Sequence, residues 1–125
     1  MSKPLTDQEL HNLAMNHVGE DLEARGFEFV AINSKLKKHP QFVCIDKNKQ
    51  YYFVIVRAVI LPDNPNNYDV VWMETFKKHA RGKDAKVLYA GVGLGNKNDK
   101  KSPIYLNEDY LLEYNGIQVL ETNLN

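Results

Sequence analysis

The residue types with the most obvious capacity for chemistry in this 125-residue chain are four histidines and one cysteine. No two histidines lie four residues apart, the spacing that places two imidazoles on one helical face for a metal ion. His17 and Asp21 do share a helical face, but helix-face pairing or partial burial explains them better than a metal. Cys44 lies between Val43 and Ile45, in the pattern of a small buried hydrophobe, and a reactive thiol is the alternative. The other histidines are His11, His39 and His79.

The glycine-rich stretch at residues 91–95, Gly-Val-Gly-Leu-Gly, follows an apolar segment, as a phosphate-binding loop would. No helix opens after it, because a polar segment leads from Asn96 to Pro103, and no Gly-Lys-Ser/Thr is present. We therefore predict a flexible or bulged strand end instead of a nucleotide loop. Ser34 and Ser102 lie in polar loops without a nucleophile-elbow context, which gives acyl-transfer chemistry no support.

The composition bounds the class of protein. At 43% apolar and 26% charged residues, the chain reads as one soluble globular domain over residues 1–125. A single cysteine excludes a four-cysteine zinc or iron–sulfur site within the chain. No apolar run approaches the roughly 20 residues of a membrane helix, and the N-terminal segment lacks a signal-peptide pattern. We expect a cytoplasmic protein without metal, flavin, iron–sulfur cluster or other cofactor, and without membrane attachment.

The net charge of zero conceals an uneven distribution along the chain. Residues 1–32 carry two basic and six acidic side chains, and residues 102–125 carry four acidic and no basic ones. The middle, residues 33–101, carries fourteen basic and six acidic side chains, a net charge of +8. In one interpretation the acidic ends fold back and neutralise the middle. In the other, the middle presents a basic face to an anionic partner.

The basic middle also contains aromatic residues, including Tyr68 and Trp72, so a stacking platform for single-stranded nucleic acid is one hypothesis. Strand alternation places Tyr51 and Phe53 on one face and Tyr52 on the other, so one of these sets belongs to the core. A dedicated DNA-binding domain has a clear basic excess, which the whole chain lacks. The candidate nucleic-acid-binding residues are Lys35, Lys37, Lys38, Lys47, Lys49, Arg57, Lys77, Lys78 and Arg81.

The first half of the chain has clear boundary signals. Thr6 and Glu9 form a capping-box sequence, and an apolar stripe with helical period follows them as far as Gly26. Pro40 ends a polar, basic segment, and a hairpin with a polar turn follows it. The predicted elements are a helix over residues 6–25, a strand over 27–32, a loop over 33–40 and a strand hairpin over 41–59.

In the second half, two prolines and three asparagines make residues 61–67 irregular. Asp69 caps a second helix over residues 70–81. The remaining predictions are a strand over 85–90, a charged tip over 97–101, a strand over 104–106, a helix over 108–114 capped by Asn107 and a strand over 117–120. This order predicts a single three-layer α/β (α+β) domain, with a mixed sheet flanked by helices.

The element order and two local patterns resemble the PD-(D/E)xK, or restriction-endonuclease-like, nuclease fold, closest to its small Holliday-junction-resolvase-like members. Those families open with a helix that carries Gly-Glu and ends in glycine, similar to Gly19-Glu20 and Gly26-Phe27 here. They continue with a strand like Phe-Val-Glu-Val-Lys, similar to Phe53-Val54-Ile55-Val56-Arg57. The resemblance implies a nuclease-like core at about residues 6–90. The elements predicted after it form a C-terminal strand–helix–strand unit at 102–121.

The departures from that family fall on its catalytic positions. Ile55 stands where the resemblance implies a metal-binding carboxylate, Arg57 where it implies the catalytic lysine, and Val43 or Phe42 where it implies the first aspartate. Arginine stays protonated and cannot act as a base. Of the expected set only Glu20 survives, and one carboxylate does not hold Mg²⁺ among apolar neighbours.

We therefore expect a catalytically inactive nuclease-like scaffold that binds a partner protein or associates with itself as a dimer. The first alternative is a nucleic-acid-binding module that uses the basic middle. The second is a metal-dependent nuclease with displaced ligands, built on Glu20, Asp46 and Glu74.

Overall fold

The first helix is fixed by its N-terminal cap. The computed structural model describes residues 3–36, 38–99 and 101–120, and α1 (Asp7–Ala24) confirms the predicted first helix. The Thr6 hydroxyl accepts a hydrogen bond from the Glu9 backbone N–H, and the Glu9 carboxylate accepts one from the Thr6 N–H. These two bonds satisfy donors that a helix N-terminus otherwise leaves free.

Three antiparallel strands follow α1, as the sequence predicts: β1 (Glu28–Ile32), β2 (Phe42–Ile45) and β3 (Tyr51–Ile60). Asp46 organises the turn between β2 and β3, because its carboxylate accepts hydrogen bonds from the backbone N–H groups of Asn48 and Gln50. This turn lies at the end of the sheet where β3 begins.

A crossover helix joins β3 to its parallel neighbour. The helix α2 (Val70–Gly82) confirms the predicted second helix, and Asp69 caps it by accepting the Trp72 backbone N–H. The chain then enters β4 (Ala85–Asn96), which pairs in parallel with the whole of β3. Parallel neighbours require such a crossover, so the N-terminus of α2 lies where β3 ends and its C-terminus lies near where β4 begins.

The predicted third helix over residues 108–114 is wrong, because Tyr110–Tyr114 form a strand, β5, antiparallel to β4. A seven-residue helix is marginal by itself, whereas β4 offers its backbone donors and acceptors along an open side. The alternation of the strand directs both tyrosines toward α1, where Tyr110 is hydrogen-bonded to His17 at 2.8 Å and Tyr114 donates to Asp21 at 2.6 Å. Both His17 and Asp21 thus have hydrogen-bond partners within the fold.

The rest of the C-terminal unit also departs from the predicted strand–helix–strand. Residues 104–106 are not a strand, and Tyr105 makes only an isolated bridge with Pro4. The last predicted strand is confirmed as β6 (Gln118–Leu120), which pairs with β4 beside β5. The mixed sheet therefore runs β1-β2-β3-β4-β5, with β6 also on β4.

The core consists of two apolar clusters, one on each face of the sheet. Val54 and Val56 of β3 pack with α1 on one face, and Ile55 and Tyr89 pack with α2 on the other. The molecule thus has three layers, as predicted: a helix, a mixed sheet and a helix. No helix among the residues that the structure describes is long and apolar enough to cross a membrane.

The glycine-rich stretch continues β4 as regular strand to Asn96, which extends the predicted strand by six residues. A Cβ atom at Gly91 would lie 1.9 Å from the Pro65 carbonyl oxygen, and one at Gly93 would lie 2.6 Å from a Leu61 methyl group. The glycines therefore leave space for the loop of residues 61–67, which lies directly on β4.

Candidate ligand-binding cavity

The three degenerate positions of the nuclease-like pattern lie on one face of the sheet. Val43 pairs with Phe53 across the β2–β3 ladder, and Phe53, Ile55 and Arg57 alternate onto the same side of β3. Ile55 is fully buried and packs in the cluster beneath α2, whereas Arg57, two residues further, is exposed. Arg57 thus lies at the point where the face opens to solvent.

A cavity of about 420 Å³ opens at this end of β3. The first two turns of α1, the first turn of α2 and the loop preceding β2 form its walls, together with the last residues of β3. Its polar or ionisable lining residues include Asp7, His11, His39, Arg57, Tyr68 and Asp69. The structure therefore brings together residues that are far apart in the sequence, from Asp7 to Tyr89.

His39 is held in one tautomer by Gln41, which is completely buried. The Gln41 Oε1 accepts the Val56 backbone N–H at 2.7 Å, so its Nε2 is the group that faces Lys38 and His39. Because Nε2 can only donate, the His39 Nδ1 is the acceptor and the proton of the neutral ring lies on Nε2. Burial lowers the pKa of His39, which agrees with a neutral imidazole.

His11 is the least satisfied polar residue of the cavity. It is only 3% exposed, and its Nε2 is the one buried side-chain nitrogen or oxygen among the described residues without a hydrogen-bond partner. Burial lowers the pKa of His11, and the neighbouring His39 lowers it further. Buried polar atoms are nearly always hydrogen-bonded. We therefore expect the His11 Nε2 to form a hydrogen bond with a group that does not belong to the described chain.

The apolar part of the cavity is largely aromatic. Trp72, 37% exposed, stands edge-on to His39 with ring centroids 4.8 Å apart. Tyr68 packs against the buried ring of Tyr89, with centroids 4.8 Å apart. Leu36 and Ile60 contribute exposed aliphatic surface to the lining. These side chains together provide a flat apolar surface next to the imidazoles of His11 and His39.

Three charged groups line the cavity, and two already have structural partners. The Asp69 carboxylate caps α2, and the Arg57 Nη1 donates to the Asn67 carbonyl at 2.7 Å. Asp7 lies in the first turn of α1, where the helix dipole favours a carboxylate. With both histidines neutral, the lining carries a formal charge of −1 from two carboxylates and one guanidinium.

Glu20, the surviving residue of the nuclease-like pattern, does not line this cavity. It lies nine residues beyond His11 on α1, roughly 13 Å along the helix axis. It borders a separate depression formed with Phe29, Ile32 and Phe42, on the α1 side of the sheet. The structure therefore separates Glu20 from Ile55 and Arg57.

The other two carboxylates of the displaced-ligand hypothesis are also apart. Asp46 lies in the turn where β3 begins and accepts a hydrogen bond from the Tyr52 hydroxyl at 3.0 Å, while Glu74 pairs with Lys77 at 3.0 Å. In the described part of the chain, no group of three or more histidine, cysteine, aspartate or glutamate residues is arranged to hold a metal ion. Cys44 is buried, and burial raises its pKa to about 12, which fits an unreactive thiol.

The predicted nucleic-acid-binding residues fall at two ends of the sheet. Lys35 precedes Leu36 and Lys38 precedes His39, two residues that line the cavity at the same end as Arg57, whereas Lys37 lies outside the described residues. Lys47 and Lys49 lie in the turn at the opposite end, about 20 Å from Arg57 along β3. Lys78 and Arg81 occupy the C-terminal half of α2, and Lys77 is largely buried against Glu74.

Sequence reasoning missed Asp7, His11, His39 and Asp69 as neighbours in one site. One signal was available for His11, which shares the buried stripe of α1 with Met15, Val18 and Leu22. A histidine on such a stripe must be satisfied by some partner. His39 offered no comparable signal, because its environment depends on the contacts of Gln41.

Comparison with known proteins identifies a family but no function. A domain of unknown function (DUF8840) matches residues 8–120, which is most of the chain. No curated protein and no solved structure matches the chain significantly.

Proposed function

We propose that this chain, which belongs to the DUF8840 family of domains of unknown function, is a catalytically inactive nuclease-like domain that binds a ligand in the cavity at the end of β3. The observation that carries the proposal is the buried, unpartnered Nε2 of His11, a residue that lines that cavity. An unsatisfied buried nitrogen in a concave, largely apolar site marks a place where a bound molecule completes the hydrogen bonding.

The topology supports the nuclease-like part of the proposal. The order α1-β1-β2-β3-α2-β4, with an antiparallel meander and a parallel crossover, is the order on which the resemblance rests. The degenerate positions Val43, Ile55 and Arg57 share one face, and Ile55 and Arg57 line the cavity. In this proposal the cleft is retained for binding, while its metal ligands are replaced by apolar side chains.

The described residues of the cavity do not supply the ligands that metal-dependent cleavage needs. Magnesium-dependent phosphate chemistry requires carboxylates that converge on the metal, and the cavity face presents Ile55 in their place. Arg57 cannot serve as a base. We expect no cleavage of single-stranded, duplex or branched DNA with Mg²⁺ or Mn²⁺, and cleavage that is lost on Arg57→Ala would contradict the proposal.

Fragment binding followed by NMR tests the proposed site directly. Mixtures of small fragments are added to ¹⁵N-labelled protein, and the backbone amide shifts are mapped on the structure. We expect the shifts to cluster on His11, Ala58 and Trp72. Shifts centred on the depression beside Glu20, or on the turn at Lys47, would place binding elsewhere and contradict the proposal.

Binding of a partner protein or of a second copy is the second candidate, supported by exposed apolar residues on a strand at the edge of the sheet. Leu111 and Leu112 of β5 are 39% and 43% exposed. Edge strands with exposed apolar side chains favour association. Analytical ultracentrifugation at increasing protein concentration tests self-association, and a dimer that is dissociated by Leu112→Lys would support it. We also propose a cytoplasmic location for the protein.

Nucleic-acid binding is supported by one observation, the basic end of the sheet opposite the cavity. Gln50 donates to the Asp84 carbonyl at 2.8 Å and so joins the turn that carries Lys47 and Lys49 to the segment between α2 and β4. That segment contains Lys83, and Lys86 follows it at the beginning of β4. Salt-sensitive binding of labelled DNA, weakened by Lys49→Glu, would support this function; no binding at low salt would reject it.

A further inference from the structure

We infer that the cavity takes an uncharged, planar heteroaromatic molecule of one or two fused rings, whose ring nitrogen or carbonyl groups bond to His11 and His39. This inference rests on the proposed function, because it names the class of ligand for the same cavity. The size, the hydrogen-bonding groups and the charge of the site each restrict the ligand.

The size of the site limits the ligand to a small molecule. A volume of about 420 Å³ lies toward the lower end of the range for small-molecule pockets. The ring of Trp72 and the side chain of Tyr68 provide flat apolar surface, and Ile55 forms part of the wall. Aromatic walls of this kind favour a planar ligand that stacks or packs edge-on.

The polar groups of the site specify a ligand with polar atoms at its ring edge. His11 Nε2 is buried without a partner, and His39 carries its proton on Nε2 because Gln41 occupies Nδ1. His39 is therefore a fixed donor, whereas His11 presents a donor or an acceptor according to its tautomer. A heteroaromatic ring supplies acceptors and donors in its own plane and matches both groups.

The charges of the site oppose a strongly ionic ligand. Asp7 and Asp69 outnumber Arg57, and none of the chain's lysines lines the cavity among the described residues. A phosphorylated ligand would meet a net negative lining with one guanidinium to receive it. A cation would meet Arg57, and the Asp69 carboxylate already serves as the cap of α2. An uncharged ligand avoids both conflicts.

The chain contains a single tryptophan, so Trp72 provides one indole N–H signal in a ¹⁵N spectrum. We would titrate the protein with purine and with naphthalene, which have similar fused rings but differ in ring nitrogens. We expect purine to shift the Trp72 signal and to bind at least about tenfold more tightly than naphthalene, because a hydrogen bond to a buried group adds about that factor.

The variant His11→Leu removes the unpartnered nitrogen while keeping an apolar side chain of similar volume. We expect it to weaken purine binding about tenfold and to leave naphthalene binding unchanged or stronger. His17→Leu is the matched control, since His17 lies on the same helix and bonds to Tyr110 outside the cavity. The comparison of purine with naphthalene on the unaltered protein remains decisive even if a variant fails to fold.

The possible results distinguish a failure of the inferred ligand class from a failure of the proposed binding in the cavity. If naphthalene binds as tightly as purine, the inference on ligand chemistry is overturned while binding in the cavity stands. If neither probe nor any fragment shifts Trp72, both the inference and the proposed function fail. If adenosine monophosphate binds more tightly than adenosine, the site prefers an anionic ligand, and the inference of an uncharged ligand is wrong.

Discussion

Two histidines define the chemistry of the cavity at the scale of single residues. Burial lowers the pKa of each and so favours the neutral imidazole, yet the two rings are held differently. Gln41 fixes the tautomer of His39, whereas His11 Nε2 has no partner. A buried imidazole that must stay neutral links the stability of the fold to pH.

We expect the free energy of unfolding to decrease when the pH is lowered from 7.5 to 5.5. Below about pH 6.5 the unfolded chain protonates His11 and His39, whereas the folded state resists protonation, so the unfolded state binds more protons. For His11 this decrease is at most about 1.4 kcal/mol over the last pH unit. Urea unfolding at the two pH values measures it.

The variant His11→Leu tests the assignment of this pH dependence. We expect its free energy of unfolding to depend less on pH over the same interval, because one of the two neutral histidines is gone. An unchanged decrease in the double variant His11→Leu/His39→Leu would show that other groups cause the effect.

At the scale of elements, the cavity depends on how the loop of residues 61–67 lies on β4. The Tyr89 hydroxyl donates a hydrogen bond to the Pro65 carbonyl at 2.7 Å, and the Asn67 carbonyl accepts one from the Arg57 guanidinium. The glycines of β4 allow this contact, because side chains there would collide with the loop. The glycine-rich stretch is thus a packing device of the sheet.

We expect Gly91→Ala to destabilise the fold by about 1–3 kcal/mol or more, since its Cβ would lie 1.9 Å from the Pro65 carbonyl oxygen. Chemical unfolding followed by circular dichroism measures the change. Gly82→Ala is the matched control, because no atom lies within 4 Å of a Cβ there. If both variants had equal stability, the close contact between the loop and β4 would be disproved.

We expect Gln41→Leu to lower the free energy of unfolding by about 1–3 kcal/mol, because it leaves the buried Val56 N–H without an acceptor. It also frees the His39 ring from its fixed tautomer, so the ring nitrogen shifts of His39 should change. Gln50→Leu is the comparison, because the Gln50 side chain is only partly buried and donates to the backbone carbonyls of Tyr51 and Asp84. A larger loss of stability for Gln50→Leu would contradict the role assigned to Gln41.

The elements with strong local signals were predictable from the sequence, and those that depend on partners were not. The capping box and apolar stripe indicated α1, and the turn at Asp46 indicated the β2–β3 hairpin. The segment Tyr110–Tyr114 looked helical behind Asn107, but β4 supplies it with strand partners. The lining of the cavity was unpredictable for the same reason, since it comes from segments far apart in sequence.

At the scale of the whole molecule, the cavity that we propose as a binding site is lined by Ile55 and Arg57, two positions where the nuclease-like resemblance implies catalytic groups. Restoring the pattern with Ile55→Glu and Arg57→Lys should not restore cleavage. Ile55 is fully buried, so an unpaired carboxylate there should cost several kcal/mol, whereas Ile55→Val should cost about 0.5–1.5 kcal/mol. If Ile55→Glu were as stable as Ile55→Val, that strand would not be buried.

The central claim, that the cavity at the end of β3 is the binding site, is tested most directly by crystals soaked with a library of small planar fragments. We expect electron density for fragments beside Trp72, with a polar atom within hydrogen-bond distance of His11 Nε2. Density confined to the depression beside Glu20 or to the basic turn at Lys47 and Lys49, with the cavity holding only solvent, would contradict it.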